Sequence, residues 1–144
     1  MVTLRELGVV TGEAFVSVNV SSRTAQQQRL EEIVLETLEA TGLPASCLSL
    51  EITEHAIMDN ADHAVALLTR LTESGVGVAI DDFGTGYNSL VHLQRLPAGT
   101  LKIDRSFVSA IHHGQASRVI AQSIVSLTDA LGMTTIAGAA RCSA

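Results

Sequence analysis

Val76-Gly-Val-Ala-Ile-Asp-Asp-Phe-Gly-Thr-Gly86 is the stretch on which the fold turns. Val76, Val78, Ala79 and Ile80 set apolar side chains on both faces of a short strand, the pattern of a strand covered on both sides. Two carboxylates, Asp81 and Asp82, follow at its C-terminal end, and Gly84 and Gly86 then supply a turn. A buried strand that opens onto charge and then glycine fits a parallel α/β sheet, where functional groups collect at the C-terminal strand ends.

Working outward, the same beat recurs. Strands are expected at Ala14 to Val20, Leu48 to Ile52, Thr100 to Ile103 and Met133 to Ala137. A helix is expected from about Ala25 to Ala40, with Leu30, Ile33, Val34, Leu35 and Leu38 as its apolar stripe. Gly42 and Pro44 stop it. A second is expected from about Ile57 to Glu73, with Thr53 as a candidate cap and Ala61, Val65, Leu68 and Leu71 inward. A short helix around Leu90 to Leu96 ends before Pro97, and Ser117 to Leu131 forms another. Five strands alternating with helices allow an open doubly wound sheet or part of a (β/α)8 barrel. A dinucleotide fold is disfavoured, because Gly84-Thr-Gly86 lacks the third glycine and follows the third strand.

The 144 residues suffice for one domain. Nine Lys and Arg against fifteen Asp and Glu give a formal charge of −6. That balance argues against DNA or RNA and against anionic membranes as partners. It leaves phosphorylated substrates open, since a metal inverts the field of an acidic site. Cys47 and Cys142 make neither a disulfide framework nor a metal motif. No signal peptide or spanning segment stands out, so a cytoplasmic chain is expected.

Four polar positions share one structural address. Asn19, Glu51 and the Asp81–Asp82 pair lie near the ends of strands one to three, and Lys102 lies in strand four. Oxygen donors without cysteine favour Mg²⁺, Mn²⁺ or Ca²⁺ over a soft metal. Adjacent carboxylates point oppositely in an extended chain, so both reach one site only if the backbone turns. Each position also has a purely structural reading. Asn19 could bond its own backbone, and Glu51 could face a wet edge. Asp81–Asp82 could cap a helix or close an Asx turn, and Lys102 could reach along the strand end to solvent.

Three blocks decide between these readings. Asp81-Asp-Phe-Gly-Thr-Gly-Tyr-Asn-Ser-Leu90 with Leu101-Lys-Ile-Asp-Arg-Ser-Phe-Val108 closely resembles the EAL-domain family of cyclic-di-GMP phosphodiesterases. Phe15-Val-Ser-Val-Asn19 and Leu48-Ser-Leu-Glu-Ile-Thr-Glu54 match two further family blocks in order. The intervals agree as well: 32 positions from Asn19 to Glu51, 30 from Glu51 to Asp81 and 20 from Asp82 to Lys102. The resemblance implies a bacterial signalling hydrolase on a TIM-type barrel, using Mg²⁺ or Mn²⁺ to open cyclic-di-GMP to the linear dinucleotide. It implies metal-ligand roles for Asn19, Glu51, Asp81 and Asp82. It also implies that Asp82 positions the attacking water and that Lys102 stands near that water and the phosphate. Asn88 replaces the usual serine of the loop.

Departures from the family pattern shape the remaining expectations. Glu-Ala-Leu, whose Glu is a metal ligand on the first barrel strand, does not occur in the sequence. Gly138 stands at an acidic site position, and Arg141 at the position given to a glutamate that steadies the loop after Asp82. The organisation expected is a partial EAL domain over 1–137, covering about strands three to seven of eight, and a departing tail over 138–144. Open sheet edges would make the chain alone poorly stable or dependent on association, its own copy included. Little turnover is expected from it. Three classes follow: an enzyme segment, a degenerate module that binds cyclic-di-GMP without cutting it, or a truncated product with no role of its own.

Overall fold

A computed structural model describes residues 15–84, 93–110 and 115–137. Its five strands are β1 (Val16–Val20), β2 (Leu48–Thr53), β3 (Gly77–Phe83), β4 (Thr100–Ile103) and β5 (Thr134–Ala137). They form one sheet in the order β1-β2-β3-β4-β5, every pair parallel. Sequential parallel order with helical crossovers is the arrangement of a barrel segment; an open doubly wound sheet reverses its order. The expected (β/α)8-type architecture is therefore the one observed, as a five-strand part.

Helices α1 (Ser22–Ala25) and α2 (Leu30–Thr41) follow β1, and α3 (Glu54–Met58) and α4 (Ala61–Glu73) follow β2. Helices α5 (Arg105–Ala110) and α6 (Gln115–Ala130) connect β4 to β5. The first two crossovers are split where single helices were expected. Ser21 caps α1 through its hydroxyl, and Gln26 closes that helix after one turn. Thr53 caps α3, accepting the Ala56 N–H at 3.3 Å, and Asn60 starts α4 afresh. Helix α2 ends as expected at Gly42, whose φ of 67° suits a residue without a Cβ.

The core lies between the outer face of the sheet and the helices. Leu50, Ile52, Val78, Ile80, Leu101 and Ile103 alternate onto that face and are buried. Leu67, Leu68 and Leu71 of α4 meet them, and Leu30, Val34 and Leu38 continue the layer. Burying each of these large side chains contributes about 1.5–3 kcal/mol. The stripe on α2 is narrower than the sequence suggests: Ile33 and Leu35 stay 45% and 37% exposed. Both lie off the i, i+4, i+8 row of Leu30, Val34 and Leu38 that touches the core.

Strands β1 and β5 are the outer members of the sheet. Val16 and Val18 share the face of Leu48 and Leu50 in register yet remain exposed. Beyond β5 an open groove of about 1130 Å³ runs along α5 and α6, lined by Val108, Ala121, Val125 and Met133 among others. No helix among the described residues is long and apolar enough to cross a membrane. Residues 90–92 of the short helix expected around Leu90 to Leu96 lie outside the described residues, as do Asn88, Gly138, Arg141 and the tail.

Candidate functional site

Strand alternation places the polar residues opposite the core. With Leu50 and Ile52 facing the helices, Ser49, Glu51 and Thr53 face the other way. Asn19 lies directly across from Glu51, and Asp81 across from Thr53. Ile80 pairs with Leu101, so Lys102 falls on the same face as Asp81. Four of the five residues singled out in the sequence thus share one face, near the C-terminal strand ends.

Lys102 joins two of them. Its Nζ donates to Glu51 Oε2 at 2.7 Å and to Asp81 Oδ2 at 3.2 Å. Ser17 Oγ donates to the other oxygen of Glu51 at 2.5 Å. The three charged side chains are only 12–23% exposed. Burial pushes the Glu51 carboxyl up, but the bonds from Lys102 and Ser17 outweigh it and hold the group below its usual range. Burial likewise opposes the charge on Lys102, and its two carboxylate partners raise its pKa nonetheless.

The acidic pair is separated by a bulge. Strand β3 continues through Asp82 to Phe83, with a register shift against β4 between Ile80 and Phe83. Asp82 takes φ 54°, a left-handed conformation that Asp tolerates better than most residues. The inserted residue returns Phe83 to the core face, buried at 5%. The sequence reading placed the change of direction in a turn carried by Gly84 and Gly86; it begins two residues earlier, inside the strand, at Asp82. Asp81 points into the shared face, while Asp82 sits exposed beyond it, and its N–H donates to Asp81 Oδ1 at 2.9 Å. Burial, then the charges of Asp81 and Asp104, raise the Asp82 pKa.

Three further residues belong to this constellation. Ser17 orients Glu51, and its signal was only its place two residues before Asn19 on the same strand face. Asp104 lies two residues beyond Lys102 and accepts the Ser106 N–H at 2.8 Å at the start of α5. Glu54 is buried and accepts the Gly84 N–H at 3.0 Å, tying the start of the glycine-rich loop to β2. Arg141, read as standing where the family has a loop-steadying glutamate, lies outside the described residues. Among the described residues Glu54 holds Gly84 in place, and the Glu51-Ile-Thr-Glu54 spacing was the signal that could have found it.

The donors suit a hard cation. Glu51 and Asp81 already share one positive group, and the Asn19 amide stands across from Glu51. Among the described residues no three His, Cys, Asp or Glu side chains are gathered to hold an ion. The gathered unit is two carboxylates around an ammonium.

Fold and site together define a barrel-type α/β protein with an acidic, cation-holding face at its C-terminal strand ends. Comparison with known proteins makes the family explicit: the EAL domain matches residues 2–139, and the chain belongs to that family. It is 44% identical over 122 residues to the cyclic di-GMP phosphodiesterase NbdA of Pseudomonas aeruginosa, covering 85% of this chain and 16% of NbdA. The phosphodiesterase MucR of the same organism, solved as a c-di-GMP complex, superposes with TM-score 0.83 at 39% identity. That match covers 89% of this chain and 52% of the MucR chain. BlrP1 of Klebsiella pneumoniae, solved as a manganese/cyclic-di-GMP complex, gives TM-score 0.80 at 27% identity, over 93% of this chain and 34% of its own. The chain therefore spans about half of one solved relative and under a fifth of NbdA.

Proposed function

We propose that this chain carries the central part of a cyclic-di-GMP phosphodiesterase site, with Asn19, Glu51, Asp81 and Asp82 as ligands for Mg²⁺ or Mn²⁺. The observation that carries this is the Glu51–Lys102–Asp81 cluster: oxygen donors and a cation on one face, at the address where barrel enzymes work. A bound divalent ion supplies Lewis acidity, making a water nucleophilic near neutral pH and offsetting charge on phosphoryl oxygens. Glu51 and Asp81 bind it from neighbouring strands, and Asn19 contributes a neutral oxygen. Asp82, exposed and with its pKa raised, is the carboxylate positioned to accept a proton from an attacking water. The Lys102 ammonium stabilises charge that builds on the phosphate. Glu54 fixes where Gly84, and so Asp82 before it, stands. A cytoplasmic setting goes with this function.

The 144-residue chain by itself is proposed to turn over poorly, since its sequence has no Glu-Ala-Leu carboxylate to complete the ligand set. The test is calorimetric titration of cyclic-di-GMP into the chain with Mn²⁺ present, followed by a product assay. Saturable heat with little linear dinucleotide is the expected result. Efficient hydrolysis would remove the claim of inactivity, and no heat from a folded chain would remove the nucleotide site. Heat that is equal with and without Mn²⁺ favours the degenerate binding module.

Self-association is part of this proposal. Among the described residues β1 and β5 each have one neighbour, to which they run parallel, so β5 of one copy can continue the sheet beside β1 of another. Val16, Val18 and Ile136, exposed on those strands, lose apolar surface to water when this happens. Sedimentation velocity should show a dimer or larger species that dissociates on dilution, and a strict monomer at all concentrations excludes it.

A further inference from the structure

We propose that the Lys102 ammonium occupies, in the metal-free chain, the cation position between Glu51 and Asp81, so that a divalent ion enters this site by exchange with Lys102. Ser17 holds the other end of Glu51 and keeps the carboxylate in place while the exchange occurs. The inference rests on the metal reading above and adds to it a residue that tunes affinity and a residue that positions a ligand.

The geometry gives each partner a distinct task. Glu51 is gripped at both oxygens, Oε1 by Ser17 and Oε2 by Lys102. Only the second contact is shared with Asp81. An ion bridging Glu51 and Asp81 therefore takes over the contacts of Lys102 and leaves that of Ser17 intact. Two carboxylates facing one another without a cation repel, and at 12–23% exposure water screens them poorly. Lys102 offsets that repulsion with one charge; a divalent ion offsets it with two. Both cations cannot occupy the one position between the carboxylates, so the ammonium moves off it along the same face, where it remains able to meet a phosphate. A flexible four-carbon stem lets the lysine withdraw, which a rigid guanidinium fork does less readily. The consequence is an ion affinity held below what the carboxylates alone provide.

Lys102 is the sole lysine in the sequence, so both substitution and labelling report on one site. The test is titration of the 144-residue chain with Mn²⁺ alone, at low ionic strength, following the electron paramagnetic resonance signal of free Mn²⁺. K102M is expected to bind Mn²⁺ about tenfold more tightly than wild type, the direction set by removing a competing positive charge. S17A is expected to bind several-fold more weakly, since Glu51 then loses the hold on its Oε1. Equal or weaker binding by K102M overturns the exchange, and unchanged binding by S17A overturns the positioning role. Where K102M does not melt cooperatively, the wild-type chain carries the test. Acetylation of Lys102 by an N-hydroxysuccinimide ester, mapped by mass spectrometry, should accelerate several-fold on adding Mn²⁺, and an unchanged or slower rate overturns the exchange. Mn²⁺ bound equally well by both chains sinks this inference alone. Mn²⁺ bound by neither sinks the metal reading together with it.

Discussion

Glu54 accepts the backbone N–H of Gly84 at 3.0 Å across 30 residues of sequence. One end of this bond is the first residue of α3; the other is the residue where the chain leaves β3. Glu54 is buried, so the bond is made out of water. E54A leaves the Gly84 donor unpaired and should cost about 2 kcal/mol in urea unfolding, while E54Q, which keeps a neutral acceptor, should cost about half as much. Equal losses in the two variants would show that packing, and not this bond, sets the value.

Phe83 connects the core to the site. It is buried and lines one small cavity with Glu54, Ile57, Ile80 and Leu96, a position it reaches because the bulge at Asp82 restores its side to the helices. F83A should cost about 3–5 kcal/mol. The larger interest is in ligand binding: with nothing to hold Phe83 inward, the bulge loses its reason, and Mn²⁺ binding should weaken along with stability. F83L, which fills most of the space, should keep Mn²⁺ affinity near wild type. A loss of stability in F83A with unaltered Mn²⁺ affinity would uncouple the bulge from the core.

Much of this was legible in the sequence, and the failures have physical causes. Parallel strands were readable because Leu50, Ile52, Val78 and Ile80 carry apolar side chains where a two-faced sheet needs them. Glu51 and Lys102 were found because a charge between Leu50 and Ile52, or between Leu101 and Ile103, must face away from the core. The bulge was not legible, since periodicity continues on either side of an inserted residue and only register reveals it. Ile33 and Leu35 misled because a helix stripe read from composition carries no information on which row meets the sheet. Glu54 was passed over because a buried carboxylate bonded to a backbone N–H has no signature apart from its partner, which lies 30 residues away.

Glu51 and Asp82, whose pKa values move in opposite directions, should give opposite pH dependences in the metal-free chain. Glu51 has its folded-state pKa lowered, so its contribution to stability is complete above the ordinary Glu range and is lost as pH falls through the folded value. Asp82 has its pKa raised, so ionising it costs stability; the cost is absent below the ordinary Asp value and complete above the raised one. E51Q should therefore be less stable than wild type at neutral pH, with the gap closing in acid. D82N should be more stable than wild type at neutral pH, and that gap should close in acid as well. Urea unfolding in the presence of chelator between pH 3 and 7 checks both, and a D82N difference that persists at pH 3 would assign the gain to the backbone at φ 54° instead of to charge.

Stabilisation by Mn²⁺ separates the ligands from their supports. An ion bound only by the folded chain stabilises it by about 2.7 kcal/mol at a hundred times its Kd, or roughly 10 °C in melting temperature for a domain of this size. D81N removes one of the two carboxylates that Lys102 bridges, so the shift on adding Mn²⁺ should fall close to zero. N19A removes a neutral donor across from Glu51 and should reduce the shift without abolishing it. Without Mn²⁺ the two variants should also part company. D81N leaves Lys102 with Glu51 alone and lowers the starting melting temperature, whereas among the described residues no hydrogen bond joins the Asn19 side chain to the ion cluster, and N19A should melt close to wild type. A full Mn²⁺ shift retained in D81N would move the ion away from the Glu51–Asp81 pair and onto other donors of the face.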